Sequence, residues 1–259
     1  MAPSYLPFYG VNFRPTGTAE SPAHLTLMPY ATFNGNIDCI STSIVWAYYG
    51  PTHDVLHNGA ITDSSIRGVA ESRKQELKQP NMWHWIVIDT DLPPGKDDPP
   101  SNPGQTIAIS AWSLKNAKKD VDAVPALDDA TTRSTQKQEE PPFLPPELRL
   151  DALNSLFGPL RDVQEEVMGS EEPYLMLRTL ATHPDHQRRG AAKLLLDWGL
   201  EMADDLGVPI YLDGTSSGKP VYEKNGFKEI KRVEWDREPW GGKGKDCHWC
   251  MVRQPRTPQ

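Results

Sequence analysis

The sequence predicts an α/β fold in which helices flank a central mixed sheet. In the second half of the chain, short runs rich in β-branched and aromatic residues alternate with stretches of helical period, in the order strand–helix–strand–helix–strand–strand. In the first half, two stretches of helical period precede two runs typical of strands. A chain of 259 residues has the usual size of a single α/β domain, and we expect residues 1–259 to form one.

Composition narrows the possible functions. Hydrophobic residues make up 37% of the chain and 25 residues are prolines, which indicates a packed core accompanied by loops or tails. The net charge of −8 disfavours general nucleic-acid binding, which needs a basic face. No apolar run is long enough for a membrane helix, and the first residues lack the features of a signal peptide. Three cysteines do not make a disulfide framework. We therefore expect a cytoplasmic protein, with the nucleus as the alternative compartment.

The first half of the chain divides into an arm, two helices and two strands. Residues 1–30 lack a clear period and are predicted to form an N-terminal arm. The elements predicted after the arm are a helix over 37–48, a helix over 66–77, and antiparallel strands over 82–89 and 105–112. We expect Gly50-Pro51 to stop the first helix. The proline-rich link 91–104 should be an exposed loop.

The middle of the chain is predicted to carry a polar insertion, after which regular structure returns. Residues 115–146 contain too few apolar side chains to offset the entropy of ordering, so we expect a mobile insertion there. From 148 the helical period returns, and Gly158-Pro159 is expected to end one helix and start the next. The remaining predicted elements are a strand over 174–182, a helix over 191–206, a strand over 208–212, a short helix over 219–225, and strands over 227–235 and 246–253.

The most informative segment runs from Leu180 to Lys193, where a strand enters a short turn and then an amphipathic helix. Such an arrangement points unpaired N–H groups and the positive end of a helix at one spot, which suits a phosphate or diphosphate. Gly190 lets an anion approach the backbone, and Arg188, Arg189 and Lys193 add positive charge. An ordinary strand–turn–helix with a solvated basic loop explains the same residues.

Two other nucleotide-binding patterns are not satisfied. No G-x-G-x-x-G follows a strand, which weighs against a dinucleotide fold. The run Gly241-Gly242-Lys243-Gly244-Lys245 lacks the spacing of a phosphate-binding loop and does not open a helix. We expect this glycine-rich run to be a flexible turn.

Two short motifs follow one another in the second half of the chain. Residues 187–192 read Gln-Arg-Arg-Gly-Ala-Ala, and residues 222–227 read Tyr-Glu-Lys-Asn-Gly-Phe. They resemble the Q/R-x-x-G-x-G/A motif and the Tyr-x-x-x-Gly-Phe signature of the GNAT superfamily of acyl-CoA-dependent N-acyltransferases. The resemblance is specific over about 172–235, in motif, order and spacing together, and it is looser over 35–115.

The resemblance implies a GNAT-like fold, with a mixed and mostly antiparallel sheet whose splayed cleft holds an acyl-CoA, acetyl-CoA by default. The motif strand would bind the pantetheine arm through its backbone, and the loop after it would hold the diphosphate. The residues implied in cofactor binding are Leu180, Ala181, Thr182, Gln187, Arg188, Arg189, Gly190, Ala191, Ala192 and Lys193. An amine then attacks the thioester directly, so the protein mainly supplies positioning and proton transfer.

The same resemblance assigns the general-acid role to Tyr222, whose phenol would protonate the departing CoA thiolate. The alternative role of Tyr222 is that of a core aromatic. The general base is not identified. His183 and Asp213 both lie at the ends of predicted strands beside the cleft. His183 has the more suitable pKa but precedes Pro184, which favours a structural role, while Asp213 fits a cap or turn equally well. A chain of water molecules would serve instead of either.

The remaining candidate groups favour structural roles. Cys247 and Cys250 form a single C-x-x-C, which is weak for zinc without a second pair of ligands, and on a strand they would point to opposite faces. We expect no metal. Six aromatic residues fit a core better than an acceptor pocket, namely Trp46, Tyr48, Tyr49, Trp83, Trp85 and Trp112.

The sequence therefore predicts an N-acetyltransferase that acts on a small-molecule or peptide amine, with no nucleic-acid or membrane partner. The alternative is an acyl-CoA-binding sensor or scaffold of the same fold that has lost turnover. Retention of Tyr222 favours the enzyme.

Overall fold

The computed structural model describes residues 24–29, 50–77, 79, 81–117 and 143–256. Within these ranges seven strands form one sheet, and five α-helices accompany it. The strands are β1 (Leu25–Pro29), β2 (Met82–Asp89), β3 (Gln105–Lys115), β4 (Tyr174–Thr182), β5 (Ile210–Thr215), β6 (Lys228–Asp236) and β7 (Lys245–Arg253). The helices are α1 (Pro51–Leu56), α2 (Asp63–Glu76), α3 (Leu150–Met168), α4 (Ala191–Leu206) and α5 (Lys219–Lys224).

The sheet has the strand order β1-β2-β3-β4-β5-β7-β6. Every neighbouring pair is antiparallel except β4 and β5, which are parallel. The chain reaches β5 from β4 through α4, which is the crossover connection that parallel strands require. The mixed, mostly antiparallel sheet flanked by helices is therefore confirmed.

Helix α4 covers one face of the sheet. Its side chains Leu195 and Leu196 are fully buried, and Trp198 lies at the centre of an aromatic cluster. The ring of Trp198 has its centroid 5.9 Å from Trp83 and 5.1 Å from Trp85. Trp112 joins the same cluster at 6.0 Å from Trp198. Trp112 is therefore a core residue, and the half-buried Trp83 and Trp85 pack against the core, whereas Trp46, Tyr48 and Tyr49 lie outside the described residues.

Helices α2 and α3 cover the opposite face. Because side chains alternate along a strand, Ile86 and Ile88 of β2 point to this face and pack with Ala70 of α2. Further along the sheet, Leu160 of α3 packs against Tyr211 of β5. Each face of the sheet thus has a helical layer. Within the described ranges, no helix has both the length and the apolar character that a bilayer span requires.

The expected break at Gly158-Pro159 is wrong, because α3 runs without interruption from Leu150 to Met168. A proline inside a helix removes one hydrogen bond and costs about 3 kcal/mol. The neighbouring side chains Leu156 and Leu160 are each only 2% exposed, so burial on both sides of the proline holds the helix together. Packing against the sheet outweighs a local stop signal here.

The first half of the chain differs from expectation in one more place, the N-terminal arm. Pro51 opens α1, since a proline lacks only an N–H that would be unpaired at a first helical position. Residues 25–29, which were expected in the N-terminal arm, form the edge strand β1. The predicted helix over 37–48 and residues 118–142 of the insertion lie outside the described residues.

The link 91–104 is a loop, as predicted, but it is not exposed throughout. Asn102 is 5% exposed, and its amide donates to the carbonyl of Gly104 at 2.8 Å. A Cβ atom on Gly104 would lie 2.1 Å from the carbonyl oxygen of Asp89, so only glycine fits at this close approach of β3 to the end of β2. The loop is therefore folded back onto the sheet.

Candidate cofactor cleft

Strands β4 and β5 meet only briefly. They pair through Leu175 with Ile210 and through Met176 with Tyr211, and no further pair continues their ladder. In the pairing of β4 with β3, Arg178 is skipped by the register and forms a bulge. A bulge increases local twist, which turns the rest of β4 away from β5. The splayed cleft implied by the resemblance is present at this point.

The three residues expected to bind the pantetheine arm lie on the separated part of β4. Leu180, Ala181 and Thr182 pair with residues 108–110 of β3 on one side, and within the described residues no strand pairs with them on the other. Successive residues of an antiparallel strand direct their N–H and C=O groups to alternate sides. The free edge of β4 therefore offers backbone groups to the cleft.

The loop after β4 has an unusual backbone. It begins with a 3₁₀ turn over Pro184–His186, and the exposed residues Gln187 and Arg188 follow. Arg188 has a φ of 62° and Gly190 a φ of 95°. Gly190 is the N-cap of α4, and no side chain caps the helix. The loop therefore brings the exposed N-terminus of a 16-residue helix to the end of the cleft.

The first turn of α4 is made of small residues. Ala191 is 2% exposed and packs inward, and Ala192 is half-buried. The N–H of Lys193 donates to the carbonyl of Gly190 at 3.0 Å, so helical bonding begins at that residue. The N–H groups of residues 190–192 precede it and have no intrahelical acceptor, which is the general condition of a helix N-terminus. They can receive an anion.

The three basic side chains of the loop differ in what they contact. The guanidinium of Arg189 pairs with the carboxylate of Asp89, which is fully buried. The ammonium of Lys193 lies 2.5 Å from the carboxylate of Asp197, one turn along the helix surface. Among the described residues, no salt bridge involves Arg188. Asp89 is not among the residues that the sequence pointed to, although an acidic residue at the end of an apolar strand can be recognised in a sequence.

Tyr222 sits on α5 with its ring against the end of β5. The side chain is 8% exposed, and its ring packs edge-on against Phe227 with centroids 5.7 Å apart. A Cβ atom on Gly218 would lie 2.8 Å from Cε2 of Tyr222, and one on Gly214 would lie 3.1 Å from Cδ2. The ring therefore occupies space that two glycines leave open. Its burial is consistent with both a core role and a role at the cleft.

The two candidate bases have different surroundings. His183 begins the 3₁₀ turn, where its Nδ1 accepts the N–H of Asp185 at 3.3 Å, an arrangement that serves the turn. Asp213 lies on the face of β5 opposite to Tyr222 and accepts a hydrogen bond from the Tyr211 hydroxyl at 2.9 Å. Burial raises the pKa of the Asp213 carboxyl, although hydrogen bonds from Tyr211 and Cys250 act in the other direction.

The face of β5 and β7 that carries Asp213 holds further titratable groups that the sequence did not indicate. Burial raises the pKa of the Cys250 thiol to about 11 and also raises the pKa of Tyr211. Burial lowers the pKa of His248, which pairs across the sheet with Thr215. These residues come together only because β7 lies between β5 and β6, and no local pattern shows that order.

The comparison with known families agrees with the fold and the cleft. A family described as "Acetyltransferase (GNAT) domain" matches residues 161–229. This match contains the loop, α4 and the Tyr-x-x-x-Gly-Phe signature. Residues 161–229 therefore match a GNAT acetyltransferase domain, and the resemblance seen in the motifs is confirmed.

A curated relative matches over a shorter stretch. A protein of Ajellomyces capsulatus named "Probable acyltransferase SID5" is 41% identical over 46 residues. The matched segment covers 18% of this chain and 34% of that protein, so the similarity spans about a third of the relative.

Solved structures with low identity share the fold. A structure described as histone acetyltransferase HPA2 and related acetyltransferase from Corynebacterium glutamicum superposes with a TM-score of 0.51 at 16% identity, covering 91% of this chain and 99% of that chain. A mosquito "arylalkylamine N-Acetyltransferase like 5b" gives 0.51 at 14% identity, covering 89% of this chain and 99% of that chain. Both show that the sheet and helices have the GNAT arrangement.

Proposed function

We propose that the protein is an acyl-CoA-dependent N-acyltransferase that transfers an acetyl group from acetyl-CoA to a primary amine. The observation that carries the proposal is the continuity of two binding surfaces. The free edge of β4 leads through the loop of residues 183–190 to the uncapped N-terminus of α4. A strand edge suits an arm that contains amides, and a helix N-terminus suits a diphosphate. Coenzyme A carries both groups in that order.

The reaction needs little covalent help from the protein. The amine nitrogen attacks the thioester carbonyl, the new C–N bond forms, and the C–S bond breaks. The amine gives up a proton and the departing thiolate takes one up. The hydroxyl of Tyr222, on a ring that packs against the end of β5, is the proposed proton donor to the thiolate.

Asp213 is the proposed proton acceptor. It lies on the other face of β5 from Tyr222, and burial raises its pKa above that of an ordinary aspartate. A base must be deprotonated to act, so activity should rise with pH through this raised pKa. We expect Asp213→Asn to lower kcat and to remove that acid limb from the pH profile of kcat. A variant that keeps the wild-type acid limb would assign the limb to another group.

The acceptor is proposed to be a small-molecule or peptide amine. The net charge of −8 is consistent with a cationic amine. The likeness in fold to the mosquito arylalkylamine N-acetyltransferase-like protein is consistent with an amine acceptor. We place the reaction in the cytoplasm, with the nucleus as the alternative.

Calorimetric titration with acetyl-CoA tests the proposal, with NAD and ATP as controls. We expect micromolar binding of acetyl-CoA and none of the two controls. Thiol release in the presence of a panel of amines then separates an enzyme from a binding sensor, since a sensor binds acetyl-CoA but releases no thiol with any amine. Absence of acetyl-CoA binding would contradict both functions.

A further inference from the structure

A carboxylate with no exposure to solvent lies beneath the proposed diphosphate loop. Asp89 ends β2 and is 0% exposed, and its Oδ2 binds the guanidinium of Arg189, 100 residues further along the chain. A buried charge is costly unless it is paired. The position of Arg189 is therefore tied to the end of β2.

Both ends of this ion pair are held by further contacts. Oδ1 of Asp89 accepts the N–H of Asp91 at 3.1 Å, and the close approach of Gly104 fixes the backbone of Asp89. On the other side, Nη1 of Arg189 lies 3.0 Å from Nδ1 of His186 in the 3₁₀ turn. The guanidinium therefore joins the β2–β3 connection to the loop that leads into α4.

The backbone on both sides of Arg189 has a conformation that further contacts, such as the ion pair with Asp89, must hold in place. Arg188 has a φ of 62°, a left-handed region that is unfavourable for a residue with a side chain, and Gly190 has a φ of 95°. Strained backbone persists only where surrounding contacts determine it. Arg189 stands between these two residues, and its side chain is the one that reaches a buried partner.

The ion pair also changes what Arg189 can do for an anion. Its charge is matched by Asp89, so a bound diphosphate gains little attraction from it, and its side chain acts mainly through geometry.

The ligand atoms of His24, Asp89 and Asp91 lie within 4.8 Å of one another. However, the cationic guanidinium already binds Oδ2 of Asp89 and would repel a metal ion there.

We propose that Asp89 is a positioning residue for the diphosphate of acyl-CoA. Through Arg189 it holds residues 188–190 in the conformation that presents their N–H groups to the anion. This inference depends on the proposed cofactor site. It assigns to the end of β2 a role in cofactor affinity that neither motif contains.

The test compares two acyl donors that differ in the diphosphate. Acetyl-CoA contains it, whereas S-acetylpantetheine lacks it and reaches only the edge of β4. In the double variant Asp89→Asn/Arg189→Gln both charges are removed together, so no charge is left buried alone. We expect the KM for acetyl-CoA to rise at least tenfold with kcat within about twofold. The loss in kcat/KM should be at least tenfold larger for acetyl-CoA than for S-acetylpantetheine.

Asp91→Asn is the matched control, because it makes the same change two residues away on a carboxylate that is 72% exposed. It should leave both donors unaffected. Calorimetry with CoA gives a readout that does not need turnover, and the double variant should bind at least tenfold more weakly there. An unchanged affinity for CoA, or an equal loss with both donors, would overturn the role of Asp89. Failure of the wild-type protein to bind acetyl-CoA would instead overturn the proposed function.

Discussion

Tyr222 has two neighbours without side chains, Gly214 and Gly218, and both lie close enough to its ring that an added Cβ atom would crowd it. This packing fixes the ring beside the end of β5 and leaves one hydroxyl as its chemical group. A phenol is a weak acid in water, with a pKa of about 10, and a thiolate leaving group benefits from such a donor.

We therefore expect Tyr222→Phe to lower kcat about 100-fold, because only the proton donor is lost. The dissociation constant for acetyl-CoA should stay within about twofold, since the ring keeps its packing. Thiol-release kinetics and calorimetry give the two quantities. Tyr174→Phe is the control, since it removes a buried phenol that accepts a hydrogen bond from Gln164 on the other face of the sheet. A wild-type kcat in the Tyr222→Phe variant would show that another group is the general acid.

Gly190 contributes by having no side chain. It is exposed, it has a φ of 95°, and it caps α4 where an anion would approach. We expect Gly190→Glu to abolish measurable binding of acetyl-CoA, because the new carboxylate both blocks and repels the diphosphate. Calorimetry measures the loss, and circular dichroism verifies the fold.

Gly169→Glu is the matched control for this substitution. Gly169 also has a positive φ, 62°, and a Cβ atom there meets nothing within 4 Å, but it ends α3 rather than opening α4. The control carries the same added charge and at least as much backbone strain, because the ψ of −166° at Gly169 is nearly confined to glycine, and it should still bind acetyl-CoA. Retained binding in the Gly190 variant would exclude the loop as the diphosphate site.

At the scale of elements, helix α4 lies unusually close to β3. A Cβ atom on Gly199 would lie 2.2 Å from Cζ2 of Trp112, whose side chain is 0% exposed and has no room to move. This contact sets the distance between the helix and the sheet. It thereby sets where the N-terminus of the helix stands relative to the cleft.

We expect Gly199→Ala to destabilise the protein by about 1–3 kcal/mol, because the added methyl group overpacks the core. Helix propensity alone would predict that Gly199→Ala stabilises the protein by about 1 kcal/mol. Gly158→Ala provides the comparison, since a Cβ atom there meets nothing within 4 Å, and we expect about 0.5–1 kcal/mol of stabilisation. Urea denaturation measures the free energy of unfolding of both variants. Changes of the same sign in the two variants would contradict the packing argument.

The uninterrupted helix α3 shows that packing between elements overrides a local sequence pattern. Gly158-Pro159 is a reasonable place to end a helix when the sequence is considered alone. The free energy that overrides it comes from Leu156 and Leu160, which are buried against residues of other elements. A local sequence pattern does not indicate which residues of other elements Leu156 and Leu160 pack against.

At the scale of the whole molecule, the last strand, β7, is attached to helix α4. The guanidinium of Arg253 donates to both carboxylate oxygens of Asp204 at 2.8 and 2.7 Å, and the Arg253 side chain is 4% exposed. Burial alone would raise the pKa of Asp204. The hydrogen bonds from Arg253 and from the backbone N–H of Arg256 outweigh burial and lower it.

Since the folded-state pKa of Asp204 lies below its unfolded value, the pair stabilises the protein above the unfolded pKa. That contribution is lost as the pH falls through the folded pKa. We expect Asp204→Asn to cost about 2 kcal/mol at pH 7, because Arg253 is left buried without a counter-charge. The difference in Tm from the wild type should shrink as the pH is lowered towards 3. Asp205→Asn, at the exposed neighbouring position, should show no such trend.

The sequence by itself determined the order of the elements in the second half and the position of the loop between β4 and α4. It also determined which residues open that helix. These features are local, because helical period, strand alternation and the free N–H groups of a helix depend on neighbours a few residues apart. The resemblance of residues 187–192 and 222–227 to the family motifs was also visible in the sequence, because each motif is a short contiguous run.

Only the tertiary structure decided the separation of β4 from β5, the pairing of Asp89 with Arg189, and the burial of Asp213 beside Tyr211. Each of these depends on strands and loops that are distant in sequence and adjacent in space. The free energy of such contacts comes from burial and charge pairing in the folded chain, and these arise only once the sheet has assembled.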